Sequence, residues 1–252
     1  MRQVLACGVC AVVVGLVLSV TAAAAQDETE RLVKTVPISA GGILKLKNFS
    51  GHVTIVAADR NDVAIEALRK APRERLNRIK LDIQADGKGV TIEANKRADG
   101  SWHENDNVVQ TDFDIQVPRK TQLDLSVFSS PVTVTDVDGR LDIHGFSGRV
   151  MVSGATGPLK VKTFSGEVHI DLAPGNDRPD IDADTFSGAI SVSMQDSAKA
   201  GVSISTFSGG ITSDLPLTFQ SKTKRELKAA LNGGGPNTIS MKTFSGSVSL
   251  KK

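Results

Sequence analysis

The stretch Leu159-Lys160-Val161-Lys162-Thr163-Phe164-Ser165-Gly166-Glu167-Val168-His169-Ile170 carries the pattern that decides the fold. Apolar residues alternate on either side of a Phe-Ser-Gly triplet, as they do in two half-buried β-strands. With Phe164 as position zero, Leu159, Val161, Val168 and Ile170 fall at −5, −3, +4 and +6. The same frame recurs at Phe49, Phe146, Phe186, Phe207 and Phe244, and in degraded form at Phe128-Ser129-Ser130. Of the 28 flanking positions in these seven copies, 27 are apolar, Ser213 being the exception. A chain that is 40% hydrophobic would supply about 11 by chance, so the periodicity is a folding signal. From Phe128 onward the copies lie 18, 18, 22, 21 and 37 residues apart, the last interval being about two ordinary ones. Such a period marks stacked supersecondary units, none able to bury its apolar side alone.

The two arms of each unit are out of phase, because −3 and +4 differ by an odd number. A straight strand would aim them at opposite faces, so the chain must bend between them. Ser-Gly sits at that bend. Glycine tolerates positive φ, which assigns Gly51, Gly148, Gly166, Gly188, Gly209 and Gly246 to corners. The recurring phenylalanines, Phe49, Phe128, Phe146, Phe164, Phe186, Phe207 and Phe244, are expected to form an aromatic column inside the stack. On that expectation Phe164→Ala costs roughly 3–5 kcal/mol, as core aromatic truncations do. The expected fold is all-β: a β-solenoid-like stack preceded by a less regular β part.

Residues 1–25 read as a secretory signal peptide, with Arg2 at its start, a mostly apolar Val12 to Val20, and small residues ending at Ala25. Both cysteines, Cys7 and Cys10, fall within it, so the mature chain is expected to lack a disulfide, a reactive thiolate and a cysteine metal site. The remaining 227 residues (252 − 25) suffice for one large core. They are expected to form a single domain over 26–252, less regular over 26–122 and a regular stack over 123–252. Without Arg2, 29 Lys and Arg (30 − 1) face 28 Asp and Glu, a balance that argues against a nucleic-acid surface. An exported protein follows, periplasmic, cell-surface or extracellular, with no transmembrane segment once the leader is removed.

Within 26–122, Val63 to Ala67, Ile79 to Ile83, Val90 to Ala94 and Phe113 to Val117 alternate like strands. Pro72 to Ile79 fits a short helix with proline in its first turn. Lys96 to Asn107 is polar, with Asp99-Gly100 as a turn signal. Arg225 to Leu231 fits either a strand or a short helix, ahead of Gly233-Gly234-Gly235-Pro236. Lys251 and Lys252 are placed to blunt the open edge of the last coil.

With its early Leu44 to Ile55 unit, the strand Asp112 to Pro118, tandem Thr-Phe-Ser-Gly units and a Gly-rich lead into the last repeat, the chain resembles the bacterial putative-adhesin family. That resemblance spans nearly all of residues 30–252. It implies a β-solenoid-like stack in a secreted or membrane-linked protein, and it carries over no catalytic residues. Ser130-Pro131 departs from the pattern by lacking the corner glycine.

No catalytic, cofactor or metal residue stands out. Positions −4 and −2, expected to face outward, mix charges: Asp142, Lys160 and Asp182 at −4, His144, Lys162 and Asp184 at −2. The dense acidic stretch Asp177, Asp180, Asp182 and Asp184 could offer oxygen ligands to calcium, and a solvated strand face is the preferred reading. The four histidines are scattered, without zinc-ligand spacing. Trp102, beside His103 in the polar stretch, reads as local packing. Thr163, Thr185, Thr206 and Thr243 recur at −1 as a hydroxyl column supporting neighbouring strands. The Asn48-Phe49-Ser50 sequon sits at a corner, where modification is improbable. The favoured function is a secreted non-enzymatic envelope protein whose rigid repeat surface binds an envelope protein or a glycan. Two alternatives stay open: a polysaccharide-acting enzyme using Asp182 or Asp184, and an accessory component of envelope-stress sensing.

Overall fold

A computed structural model describes residues 27–97 and 108–252. Residues 1–25, read above as a signal peptide, with both cysteines, and Asp99-Gly100, Trp102 and His103 lie outside the described residues. In chain order the N-terminal part gives β1 (Asp27–Pro37), β2 (Ile43–Ser50), β3 (Val53–Ala58), β4 (Asp62–Pro72), the helix α1 (Arg73–Arg78), β5 (Ile79–Ala85), β6 (Gly89–Arg97) and β7 (Gln110–Pro118). The repeats give β8 (Gln122–Ser129), β9 (Val132–Thr135), β10 (Leu141–Ser147), β11 (Val150–Ala155), β12 (Leu159–Ser165), β13 (Val168–Leu172), β14 (Ile181–Ser187) and β15 (Ile190–Ser193). The C-terminal part gives β16 (Ala200–Ser208), β17 (Ile211–Ser213), β18 (Leu217–Lys222), β19 (Glu226–Leu231), β20 (Thr238–Ser245) and β21 (Val248–Lys251). Each strand expected in the N-terminal part is present, and so is the short helix. The ambiguous Arg225 to Leu231 stretch is the strand β19, whose Leu227, Ala229 and Leu231 alternate into the core.

Two open sheets face one another. The first runs β1-β4-β7-β3-β9-β11-β13-β15-β21-β17, and the second β18-β19-β16-β20-β14-β12-β10-β8-β2-β6-β5. Every repeat sends its first arm to the second sheet and its second arm to the first, the bend that odd spacing requires. Both arms therefore aim their apolar residues into one shared interior. Leu141, Ile143, Val161, Val168 and Ile170 are fully buried there, with Phe113 from the N-terminal part. Among the 27 apolar frame residues only Ile211 is not buried, because β17 is the last strand of its sheet and lacks a neighbour on one side.

Parallel in-register pairing makes the corners nest. The Gly166 N–H donates to the Ser187 carbonyl at 3.0 Å, Gly188 to Ser245 at 2.9 Å, and Gly246 to Ser208 at 2.9 Å. A Cβ on Gly166 would stand 2.0 Å from the Gly148 carbonyl oxygen, so close approach, besides backbone freedom, demands glycine here. The −1 threonines point inward as a buried column. Thr163 Oγ1 donates to Thr185 Oγ1 at 2.8 Å, and Thr243 Oγ1 to the Gly188 carbonyl at 3.1 Å. Thr185→Val strands the Thr163 hydroxyl in a buried site, so the urea midpoint should fall by the equivalent of about 1–2 kcal/mol. Asn48 occupies the same column and is buried, donating to the Thr111 carbonyl at 3.0 Å.

Spatial order departs from chain order at the end. The last repeat, β20 and β21, inserts between the pairs β14/β15 and β16/β17. The excursion before it forms β18 and β19, which extend the second sheet antiparallel beside β16. Lys251 and Lys252 consequently do not guard an edge: β21 is flanked on both sides by β15 and β17. The true edges are β1, β17, β18 and β5. The charged residues of β1 (Glu28, Glu30, Arg31, Lys34) are the ones placed to discourage strand addition.

The β5–β6 turn is held by Asp86, whose carboxylate accepts the Gly89 N–H at 2.7 Å and the Lys88 N–H at 3.0 Å. Those two bonds, Gly89 first, hold the Asp86 carboxyl below its ordinary range. A depressed folded-state value stabilises the fold above the unfolded value of about 3.9 and loses that contribution as pH falls through the folded one. Thermal melts should show wild type above Asp86→Asn at neutral pH, with the gap closing below about pH 4.

Candidate ligand groove

The strand parity that buries −5, −3 and −1 sends −4, −2 and zero to the outside of the second sheet. Position zero is phenylalanine. The seven rings form a column, as the repeat implies, but it lies on the surface: Phe49, Phe128, Phe146, Phe164, Phe186, Phe207 and Phe244 are 41–53% exposed. The expectation of an internal aromatic column is thus corrected. The interior between the sheets is filled by aliphatic residues at −5, −3, +4 and +6, which leaves no inward slot at zero. Seven of the nine phenylalanines are displayed, Phe113 is buried, and Phe219 on β18 is exposed.

The order of rings follows the sheet: Phe49, Phe128, Phe146, Phe164, Phe186, Phe244, Phe207. Neighbouring centroids are 4.5–5.1 Å apart, close to the 4.7–4.9 Å between adjacent strands. Beyond Phe128 the ring planes agree within 2–4°. Five internal rings therefore have both faces covered by neighbours and present their edges outward. At one end the guanidinium of Arg225 sits over Phe207, 4.6 Å from its centroid.

Beside the ladder runs a groove of about 1150 Å³. Rings form one wall, and position −2 forms the other: Lys47, Ser126, His144, Lys162, Asp184, Lys242 and Ser205. The strand backbone at Thr163, Thr185, Thr243 and Thr206 forms its floor, their buried side chains turning to the interior. Asp184 stands between Lys162 and Lys242 in register. None of Lys47, Lys162 or Lys242 has an ion-pair partner among the described residues. His144 Nε2 approaches Asp142 Oδ1 at 2.9 Å.

Asp182 and Asp184 share the outward face of β14, half-buried. Asp177 takes a different role, accepting from Gln195 Nε2 at 2.5 Å at the loop before β14. Among the described residues no three His, Cys, Asp or Glu side chains gather at metal-binding distance. A recurring aromatic reads as core by residue type, and that hides the groove in the sequence. The signal was present in the parity, since zero belongs with −2 and −4.

Open sheets stacked from repeated corner units define a β-solenoid-like toast-rack domain. Residues 123–251 match the family described as Toastrack DUF4097, and the chain belongs to that family. Comparison with curated proteins gave no match. Among solved structures, a "putative cell adhesion protein" from Clostridium sporogenes is similar at 15% identity and a TM-score of 0.52, covering 89% of this chain and 99% of that one. A "putative adhesin" from Bacteroides fragilis aligns at 12% identity and a TM-score of 0.43, over 88% of this chain and 96% of the other. At these identities the first likeness bears on the fold alone. Among the described residues no helix is long and apolar enough to cross a membrane.

Proposed function

We propose that the chain is an exported, non-enzymatic binding protein of the bacterial envelope, with the groove along the phenylalanine ladder as its working surface. One observation carries this reading: seven half-exposed aromatic rings in unbroken contact on one face. A contiguous apolar stripe of that kind marks an interaction site, since isolated exposed apolar residues are ordinary and long rows of them are not. Export rests on the leader-like residues 1–25, and the adhesion-related names of the similar structures are compatible with it. Binding needs no moving part here, because each ring is fixed by a strand paired on both sides.

The test is cosedimentation with isolated cell envelopes, using a chain carrying Phe164→Ser and Phe186→Ser and shown to be folded. Wild type, beginning at Gln26, should pellet with the envelopes and the variant should stay in the supernatant. Equal partitioning would remove the ladder as the working surface. A cytoplasmic protein that still begins at Met1 would remove export.

A further inference from the structure

We infer that the groove takes a single-chain anionic amphiphile of the long-chain carboxylate class, its alkyl chain along the ring edges and its carboxylate beside Lys242 and Arg225. The inference deepens the reading of the groove as a binding surface and rests on it.

Three ligand chemistries could occupy a long apolar groove, and the geometry separates them. A sugar ring stacks its C–H groups on an aromatic face. Here the faces of Phe128, Phe146, Phe164, Phe186 and Phe244 are closed by each other, at interplanar angles of 2–4° after the first pair. An extended peptide needs partners for its N–H and C=O groups. The groove crosses β8, β10, β12, β14 and β20, each already paired on both sides, so the floor offers no open strand edge. A polymethylene chain needs neither ring faces nor hydrogen bonds. It needs a continuous apolar wall, and the ring edges supply one.

Length and charge complete the match. Six ring-to-ring steps at strand spacing make the ladder about 29 Å long, while one acyl chain spans about half of a 30 Å bilayer core. A single chain therefore covers roughly half of the ladder, from Phe244 across Phe186 and Phe164. The opposite wall is cationic in balance, with Lys47, Lys162 and Lys242 and the Arg225 end set against the single carboxylate of Asp184. Ring edges are the positive rim of the aromatic quadrupole, so both walls favour an anion. Lys242 and Arg225 lie at the same end of the groove, where a head group would be paired by two cations while its tail stays on the rings.

Isothermal titration of the full mature chain with laurate, dodecanol and butyrate tests this, all below their aggregation limits. Laurate should bind saturably at one site and butyrate should not. Lys242→Gln with Arg225→Gln should weaken laurate at least tenfold and leave dodecanol unchanged. Phe186→Ser, checked for folding by circular dichroism, should weaken both at least tenfold. Absence of saturable laurate binding, or binding indifferent to Phe186→Ser, would overturn the inference. So would sedimentation showing a ladder-dependent dimer, which would seat a second copy in the groove. If laurate fails while Phe164→Ser with Phe186→Ser still abolishes envelope cosedimentation, the ligand class falls and the working surface stands.

Discussion

Gly188→Ala should destabilise the protein by about 2–5 kcal/mol, combining overpacking with backbone strain. A Cβ there would lie 2.1 Å from the Gly166 carbonyl oxygen and 2.7 Å from its carbon, at a backbone φ of 153°. The obstructing atoms are main chain, so no side chain can swing aside. Relief requires the coil to move away from its neighbour, and that breaks the Gly166-to-Ser187 and Gly188-to-Ser245 bonds. The control lies in the same kind of corner: at Gly210 an added Cβ meets nothing within 4 Å. Gly210→Ala should be neutral or raise stability by up to about 1 kcal/mol through a less flexible unfolded chain. Chemical denaturation of the two variants, read at constant m-value, gives the comparison directly.

The second large effect separates inside from outside. Ile170→Ala removes a fully buried side chain and should cost about 2–5 kcal/mol. Phe164→Ala removes a larger side chain that is 49% exposed and should cost only about 1–2 kcal/mol, mostly lost stacking with Phe146 and Phe186 and a half share of burial. The smaller residue is the costlier one to truncate. An internal aromatic column would give the opposite ranking, with Phe164→Ala at roughly 3–5 kcal/mol.

Much of the architecture is legible in the residues themselves. The odd offset between −3 and +4 requires a corner, and each corner joins the two sheets. Strict alternation at Leu159, Val161, Val168 and Ile170 names the interior, and the −1 threonines fall inside with it. Two things resist a local reading. The position of the last repeat is set by where β18 and β19 return the chain, and a 37-residue interval is compatible with simple succession. The insertion of β20 between β14 and β16 depends on equal nesting of its Ser-Gly corner against both neighbours, a tertiary match that no spacing reveals. The groove is a different case. Phe164 shares parity with Lys160 and Lys162, so alternation alone places it outside. Composition misleads there, since aromatic residues are usually core and seven copies strengthen the impression.

Thiol reactivity reads out the position of the ladder most directly. In a full chain with Cys7 and Cys10 replaced by serine, Phe164→Cys and Val161→Cys differ by three residues on one strand. Under native conditions Phe164→Cys should react with a maleimide at nearly the rate of a free thiol, and Val161→Cys should be protected until the protein unfolds. A protected Phe164→Cys would place the aromatic column inside the stack and contradict the groove.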